Sequence, residues 1–207
     1  MKVVRTSPRI GVGRARNLGA AAAHGEFVAF LDDDDTWEPR HLSCLAGAIG
    51  EKPKSVAVGT IVLVDERGTQ LSRTLLPASP ELQRTLYFRN PGFGGCNFMI
   101  RREAFLALGG FDESFPASED RDLAVRLIEN GYHLVPVPEA VVYALEHRQE
   151  RSRPHHLKGN ALFLRKHWRA MTWDERRRCV QRIAGRARNR LFDELKRPLR
   201  RWITRAS

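Results

Sequence analysis

Cysteine is scarce in this 207-residue chain, with only Cys44, Cys96 and Cys179, an odd number that forms no C-x-x-C. That excludes a disulfide framework and points to reduced thiols in a cytoplasmic protein. Apolar runs are short: none reaches the ~18 residues of a membrane span. The opening Met-Lys-Val-Val-Arg-Thr-Ser-Pro has none of the apolar core, about 7–15 residues long, that marks a secretory leader. Aromatic residues make up 8% and are sparse among the arginines of the C-terminal part, so base stacking has little to work with and nucleic acid is not an expected partner. No Ser–His–Asp or Cys–His arrangement offers a protein nucleophile.

What is present suits a globular protein large enough for a sizeable core, with 42% hydrophobic and 29% charged residues. The net charge of +11 is unevenly placed. Residues 1–147 hold 16 Lys+Arg against 19 Asp+Glu, and residues 148–207 hold 19 against 5. The chain therefore reads as a body, residues 1–150, and a basic helical extension, residues 151–207. A basic catalytic groove is excluded, and a separate contact surface is indicated.

The body is organised around Phe27-Val-Ala-Phe-Leu-Asp-Asp-Asp-Asp-Thr-Trp-Glu-Pro39. Its apolar run reads as a strand covered on both faces. It stops at Asp32–Asp35, where carboxylates crowd at a strand's carboxyl end, the place where open α/β sheets collect ligands. Hard oxygen donors that repel one another suit Mg²⁺ or Mn²⁺. The competing reading is a helix cap, with Pro39 in the first turn and Asp35 as the cap. A second acidic constellation, Glu119-Asp120, lies in the first turn of a helix that Ser118 caps and Gly131 ends. A base there needs its pKa raised or its geometry aligned; otherwise it is ordinary first-turn acid enrichment. His147 follows a strand end, where a lone histidine is more often structural.

In order, Gly11 to Gly25 predicts a helix with Arg14, Arg16 and Asn17 near its positive end and Gly25 as its C′ residue. A helix from Glu38 to about Gly50 follows, then a β-branched strand Ser55–Val64, a turn at Asp65–Gly68 and a second strand near Thr69–Leu75. That hairpin makes the sheet mixed. Glu81–Phe88 is a short helix and Asn90–Cys96 a flexible, ligand-facing loop. Asn97–Arg101 is a strand, Arg102–Leu108 a helix, and Tyr132–Val137 and Ala140–Glu146 are two strands. In the extension, residues 154–169 form a helix with Leu157, Ala161, Leu164 and Trp168 on one side, and Thr172–Glu175 is a capping box. The next helix places Val180, Ile183, Ala187, Leu191, Leu195, Leu199 and Trp202 at spacings of three and four until Pro198 kinks or ends it. It is either a membrane-surface element or a helix packed on the body with solvated arginines.

Gly13-Arg-Ala-Arg-Asn-Leu-Gly19, Gly25 to Trp37, Gly109-Gly-Phe-Asp-Glu113 and Glu119 to Arg126 together resemble the family 2 glycosyltransferases of GT-A fold, over about residues 3–150. The resemblance implies an α/β domain with a mixed central sheet, and inverting transfer of a sugar from a nucleotide-diphosphate sugar. It implies Mn²⁺ or Mg²⁺ on Asp34, Asp32 and His147, and a donor site made by Arg14, Arg16, Asn17, Asp32 and Asp33. Asp120 would be the base, with Glu119 as the alternative. The acceptor is open: a glycan, a lipid-linked molecule or a protein. The family's domain opens with a strand, a Pro-x-x-Asn-like turn and a second strand that hold the nucleotide base, and nothing of that kind precedes residue 3. The expectation is an N-terminally truncated fold with an open sheet edge available to a partner chain or a second copy. Either the chain transfers sugars or it is a catalytically incomplete binding or scaffold protein. Its expected place is the cytoplasm, at the inner membrane face if the basic helix meets anionic lipid.

Overall fold

The computed structural model describes residues 2–146 and 153–203, except for the side chains of 153–154 and 189–203. The elements run α1 (Val12–Ala22), β1 (Phe27–Ala29), β2 (Thr36–Trp37), α2 (His41–Ile49), β3 (Ser55–Val64), β4 (Gln70–Thr74) and α3 (Pro80–Gln83), with a 3₁₀ turn at Arg84–Tyr87. There follow β5 (Phe98–Arg101), α4 (Arg102–Ala107), α5 (Glu119–Glu129), β6 (His133–Leu145), α6 (Arg153–His167), a 3₁₀ turn at Trp168–Ala170 and α7 (Trp173–Ile203).

The sheet has the order β1-β5-β3-β6-β2, with β4 attached to β3. It is mixed, as expected: β3 and β6 run parallel, and the other pairs are antiparallel. The β-branched run of β3 forms the buried centre. The Asp65 side chain accepts from the backbone N–H of Arg67 and Thr69 and closes the β3–β4 turn. β6 is one strand rather than two, because its pairing with β3 continues across a register shift beside Pro138. Helices cover both faces. Leu45 and Ile49 of α2 pack on Ala57, Met99 and Val137. The larger core gathers Phe93, Phe98, Phe105, Phe111 and Leu123 on the other side.

β1 differs from its expected form. It ends at Ala29, its flanking residues are half-buried, and Leu31 is exposed. The reason is position: β1 is an outer strand, paired only with β5 among the described residues. A groove of about 800 Å³ lies between it and α1, with Asp32, Asp33 and Asp34 at one end. Val28 is buried in the main core, and Phe30 also turns inward, 5.3–5.7 Å from the rings of Phe98, Phe105 and Phe111. α1 also ends early, at Ala22, with extended Ala23 as its cap instead of a turn at Gly25.

The extension is built into the body. Phe163, Met171 and Cys179 belong to the main core. The buried side of α6 carries Gly159, Asn160, Phe163 and His167, while Ala161 and Trp168 are exposed, so the expected apolar stripe is rotated. Polar groups on α5 set that rotation. Asp122, fully buried, has His167 Nε2 at 2.8 Å, Lys166 Nζ at 2.7 Å and Arg126 Nε at 2.8 Å. Burial opposes its charge, but these partners outweigh it and hold the Asp122 carboxyl below the usual carboxylate range. Arg121 donates to Asn160 at 3.0 Å and lies 3.5 Å over the Phe163 ring. Gly159 permits the contact, since a Cβ there would meet the Ala117 carbonyl oxygen at 2.1 Å. The Thr172–Glu175 capping box forms, and Glu175 also takes both arms of Arg84 at 2.9 Å. α7 buries Cys179 rather than Val180, which is 45% exposed, and it runs through Pro198 to Ile203 instead of ending there. No described helix is long and apolar enough to cross a membrane.

A side chain at the centre of a core cannot be cut back cheaply. Phe163→Ala should lower stability by about 3–5 kcal/mol within a single cooperative urea transition, whereas exposed Trp168→Ala should cost under about 1 kcal/mol. Equal small effects would mean that α6 is not part of the folded body.

Candidate functional site

The acidic loop leaves β1 through a tight turn, Asp35 N–H to Asp32 O at 3.2 Å. One cation reaches into it. Arg16 of α1 donates from Nη2 to Asp32 Oδ1 at 2.6 Å and from Nη1 to Glu119 Oε1 at 3.1 Å. Its side chain is only 11% exposed and lies over the Phe111 ring at 5.4 Å. Burial opposes the guanidinium charge, yet the two carboxylates win and raise its pKa above the usual value. Two acidic stretches separated by more than 80 residues thus share one buried cation.

Arg16 fits because Gly95 has no side chain: a Cβ there would fall 2.2 Å from Arg16 Nη1. The loop around Gly95, expected to be flexible and ligand-facing, is buried and hydrogen-bonded. Asn90 Oδ1 accepts from the N–H groups of Gly92 and Phe93, and Asn97 Nδ2 donates to the carbonyls of Gly59 and Gly92. Residues 92–97 are buried, so backbone polar groups there need such partners. Asn90 Nδ2 also donates to Asp120 Oδ2 at 3.3 Å.

Asp120 sits at the mouth of α5. Burial, then the charge of Glu119, push its pKa up to about 7, against the pull of the Arg121 N–H and of Arg16. Ser118 holds the N-cap position, but its hydroxyl makes no cap bond and its φ is +70°, in the left-handed region where non-glycine residues are strained. The expected serine cap is therefore absent, and the acid pair is presented from a strained backbone.

Asp35 is not a helix cap either, because α2 starts only at His41, after β2. It shares a bond with the Cys96 thiol, and burial together with Asp32 and Asp34 raises its pKa. Burial and Asp35 push the Cys96 thiol up as well. Asp32, Asp35 and Cys96 each bring one donor atom to within 4.8 Å of the others. Trp37 Nε1 donates to the Cys96 carbonyl at 3.0 Å and its ring stacks on His41 at 5.0 Å, which fixes the far wall.

The other expected site residues are placed differently. Asp33 and Asp34 are exposed along the groove beside β1. Arg14 is exposed, 3.7 Å from Glu113. Asn17 has both ends of its amide committed to Phe111, donating to its carbonyl at 2.8 Å and accepting from its N–H at 2.8 Å, so it holds the turn after α4 and is not free for a ligand. His147 lies outside the described residues. Asn90 and Cys96, the two ends of the glycine-rich loop, also reach the site, through Asp120 and Asp35, and only the glycine content of the loop between them signals this in the sequence.

Comparison with known proteins bears on this arrangement. Residues 1–109 match the family described as Glycosyl transferase family 2, and residues 81–150 match an N-terminal domain of galactosyltransferase. An uncharacterized glycosyltransferase of Haemophilus influenzae is 26% identical over 154 residues, 72% of this chain and 52% of the relative. GalNAc-T7, solved with UDP, GalNAc and Mn²⁺, superposes with a TM-score of 0.56 at 23% identity, over 72% of this chain and 32% of that one. The mannosyltransferase PcManGT from Pyrobaculum calidifontis, solved with GDP-Man and Mn²⁺, gives 0.54 at 18% identity, over 98% and 65%. The chain thus spans about half the length of the Haemophilus relative and a third of GalNAc-T7.

The Asp120 pKa has a consequence for stability. The unfolded carboxyl titrates near ~3.9, so the fold binds the Asp120 proton more tightly than the unfolded chain does. Its contribution is fully present below about pH 4 and is lost as pH rises through about 7. Asp120→Asn should flatten the fall in stability across that window in urea titrations. Parallel curves for the two proteins would place the source elsewhere.

Proposed function

The chain belongs to glycosyl transferase family 2, and from that premise we propose that it transfers a sugar from a nucleotide-diphosphate sugar to an acceptor hydroxyl, with inversion and with a divalent cation. The observation that carries this reading is the Arg16 bridge, which joins the acidic loop to the helix bearing Glu119 and Asp120. Donor-facing and acceptor-facing groups are thereby held as one unit. The two solved structures compared above contain UDP or GDP-Man together with Mn²⁺, which supports a nucleotide-sugar donor.

The donor set fits a hard cation: carboxylates at the exposed end of a groove, with Asp32 and Asp35 already drawn together. Asp32 and Asp34 would hold Mn²⁺ or Mg²⁺, and His147 is proposed as a further ligand. Bound there, the cation would neutralise the charge that develops on the leaving diphosphate. Arg16, with Asp33 and Arg14 further out, lines the donor side.

The remaining chemistry belongs to the chain. The acceptor oxygen attacks the anomeric carbon, its proton passes to the Asp120 carboxylate, and the nucleoside diphosphate departs with the electron pair of the broken bond. A base with a pKa near 7 is matched to that task at neutral pH. Asn90 aligns Asp120, and Glu119, committed to Arg16, serves as the local countercharge. Direct displacement needs no protein nucleophile.

The open edge of β1 favours a second reading. A groove exposed along its length gives the nucleotide little cover on that side, and unpaired strand edges accept further strands. In this reading the chain binds a partner chain or a second copy through β1 and is catalytically incomplete by itself.

Release of nucleoside diphosphate from UDP- and GDP-sugars with Mn²⁺ tests the first reading. Turnover should rise with pH through about 7 and fall about 10²–10⁴-fold in Asp120→Asn, and Asp34→Ala should abolish the metal response. Wild-type rates in both variants would remove the assigned roles. No calorimetric binding of UDP or GDP in the presence of Mn²⁺ would favour the second reading.

A further inference from the structure

Away from the acidic loop, on the other side of Asp120, four arginines converge. Arg178, Arg182 and Arg186 follow one another at intervals of four along α7, so they stand on one side of the helix. Arg89 faces Arg178 and Arg182 from the segment after the 3₁₀ turn at Arg84–Tyr87, across a pocket of about 480 Å³ lined also by Thr85, Phe88 and Gln181, with Arg186 one turn further along. That volume is within the ~300–1,000 Å³ of ordinary small-ligand sites. Arg178 is neutralised by Asp174 at 2.6 Å and lies 5.2 Å over the Phe88 ring. Among the described residues no carboxylate pairs with Arg89, Arg182 or Arg186. Arg182 feels both of the others: burial, then Arg186 and Arg89, lower its pKa. The Thr85 hydroxyl, in the same wall, is buried and has no hydrogen-bond partner.

Like charges at i and i+4 repel, and among the described residues only Arg178 of the three has a carboxylate partner, Asp174. A doubly charged oxyanion would offset the repulsion, because planar guanidinium forks match phosphate oxygens. The pocket is tied to the site through both of its walls. Arg89 precedes Asn90, which touches Asp120, and Arg178 precedes Cys179, whose sulfur is 3.9 Å from Arg121. We propose that this pocket binds the phosphate group of a phosphate-bearing acceptor and so delivers the acceptor hydroxyl to the Asp120 side. The phosphate could belong to a soluble ester or to a lipid headgroup. The acceptor assignment rests on the transfer reading above, whereas anion binding by the pocket does not.

The test is direct binding in EDTA, without donor or metal. Glycerol 3-phosphate should shift the arginine Nε–Hε signals in ¹H–¹⁵N spectra and saturate. Arg89→Gln/Arg182→Gln should weaken it at least about tenfold, and Asp34→Ala should leave it unchanged. Both arginines are exposed, so the double variant should keep the wild-type thermal midpoint. Vesicles of phosphatidylcholine with and without phosphatidylglycerol separate the sources: retention on the anionic vesicles that the double variant loses assigns a lipid headgroup. Saturation by the free ester alone assigns a soluble phosphate. The proposal is overturned if neither probe binds in a way that the double variant weakens. Loss of sugar transfer with phosphate binding intact would instead count against the transfer reading alone.

Discussion

One buried guanidinium sets the geometry of everything around it. Arg16 is held between Asp32, at the end of an outer strand, and Glu119, at the mouth of a helix that begins more than 80 residues later. Glu119 and the guanidinium, each with only 11% of its side chain exposed, would be costly to bury alone, while Asp32 keeps 40% of its side chain exposed. Together they fix the distance between the β1 loop and α5, and they oblige the intervening loop to carry a glycine at position 95. Asn90 and Asn97 hold that loop in turn, and Asn90 reaches Asp120. The placement of Asp120 is thus a consequence of how a charge on α1 is satisfied.

The second constraint acts from behind. α5 has Glu119 and Asp120 at its mouth and Arg121 and Asp122 on its buried side. Those buried charges find their partners on α6, in Asn160, Lys166 and His167, and the packing of Phe163 follows from that match. The basic extension therefore does two things. Its inner face completes the core beneath the site, and its outer face carries Arg178 and Arg182, which line the pocket beside Arg89.

Much of this was legible in the residues, and the exceptions share a cause. β3, the Asp65–Gly68 turn and the Thr172–Glu175 box were readable because adjacent residues determine them. The two acidic stretches were readable as chemistry because local charge density is visible in a string. What could not be read were matches between distant elements. The face that α6 buries is chosen by Asp122 and Arg121, not by the leucine spacing of α6 itself. Asn17 looked like a ligand contact, yet its amide is taken by Phe111. Asp35 looked like a cap until the pairing of β2 with β6 was seen to postpone α2 to His41. Ser118 has the right identity for a cap and the wrong backbone angle.

The outer position of β1 has a consequence of its own. It is anchored from one flank, through β5, Arg16 and the Gly95 loop, while its other flank has no strand partner among the described residues. The two flanks of β1 are therefore physically separable surfaces. Polypeptide laid along the open flank could pair with β1 without displacing Arg16, Asp32 or the Gly95 loop, all of which are held from the other side.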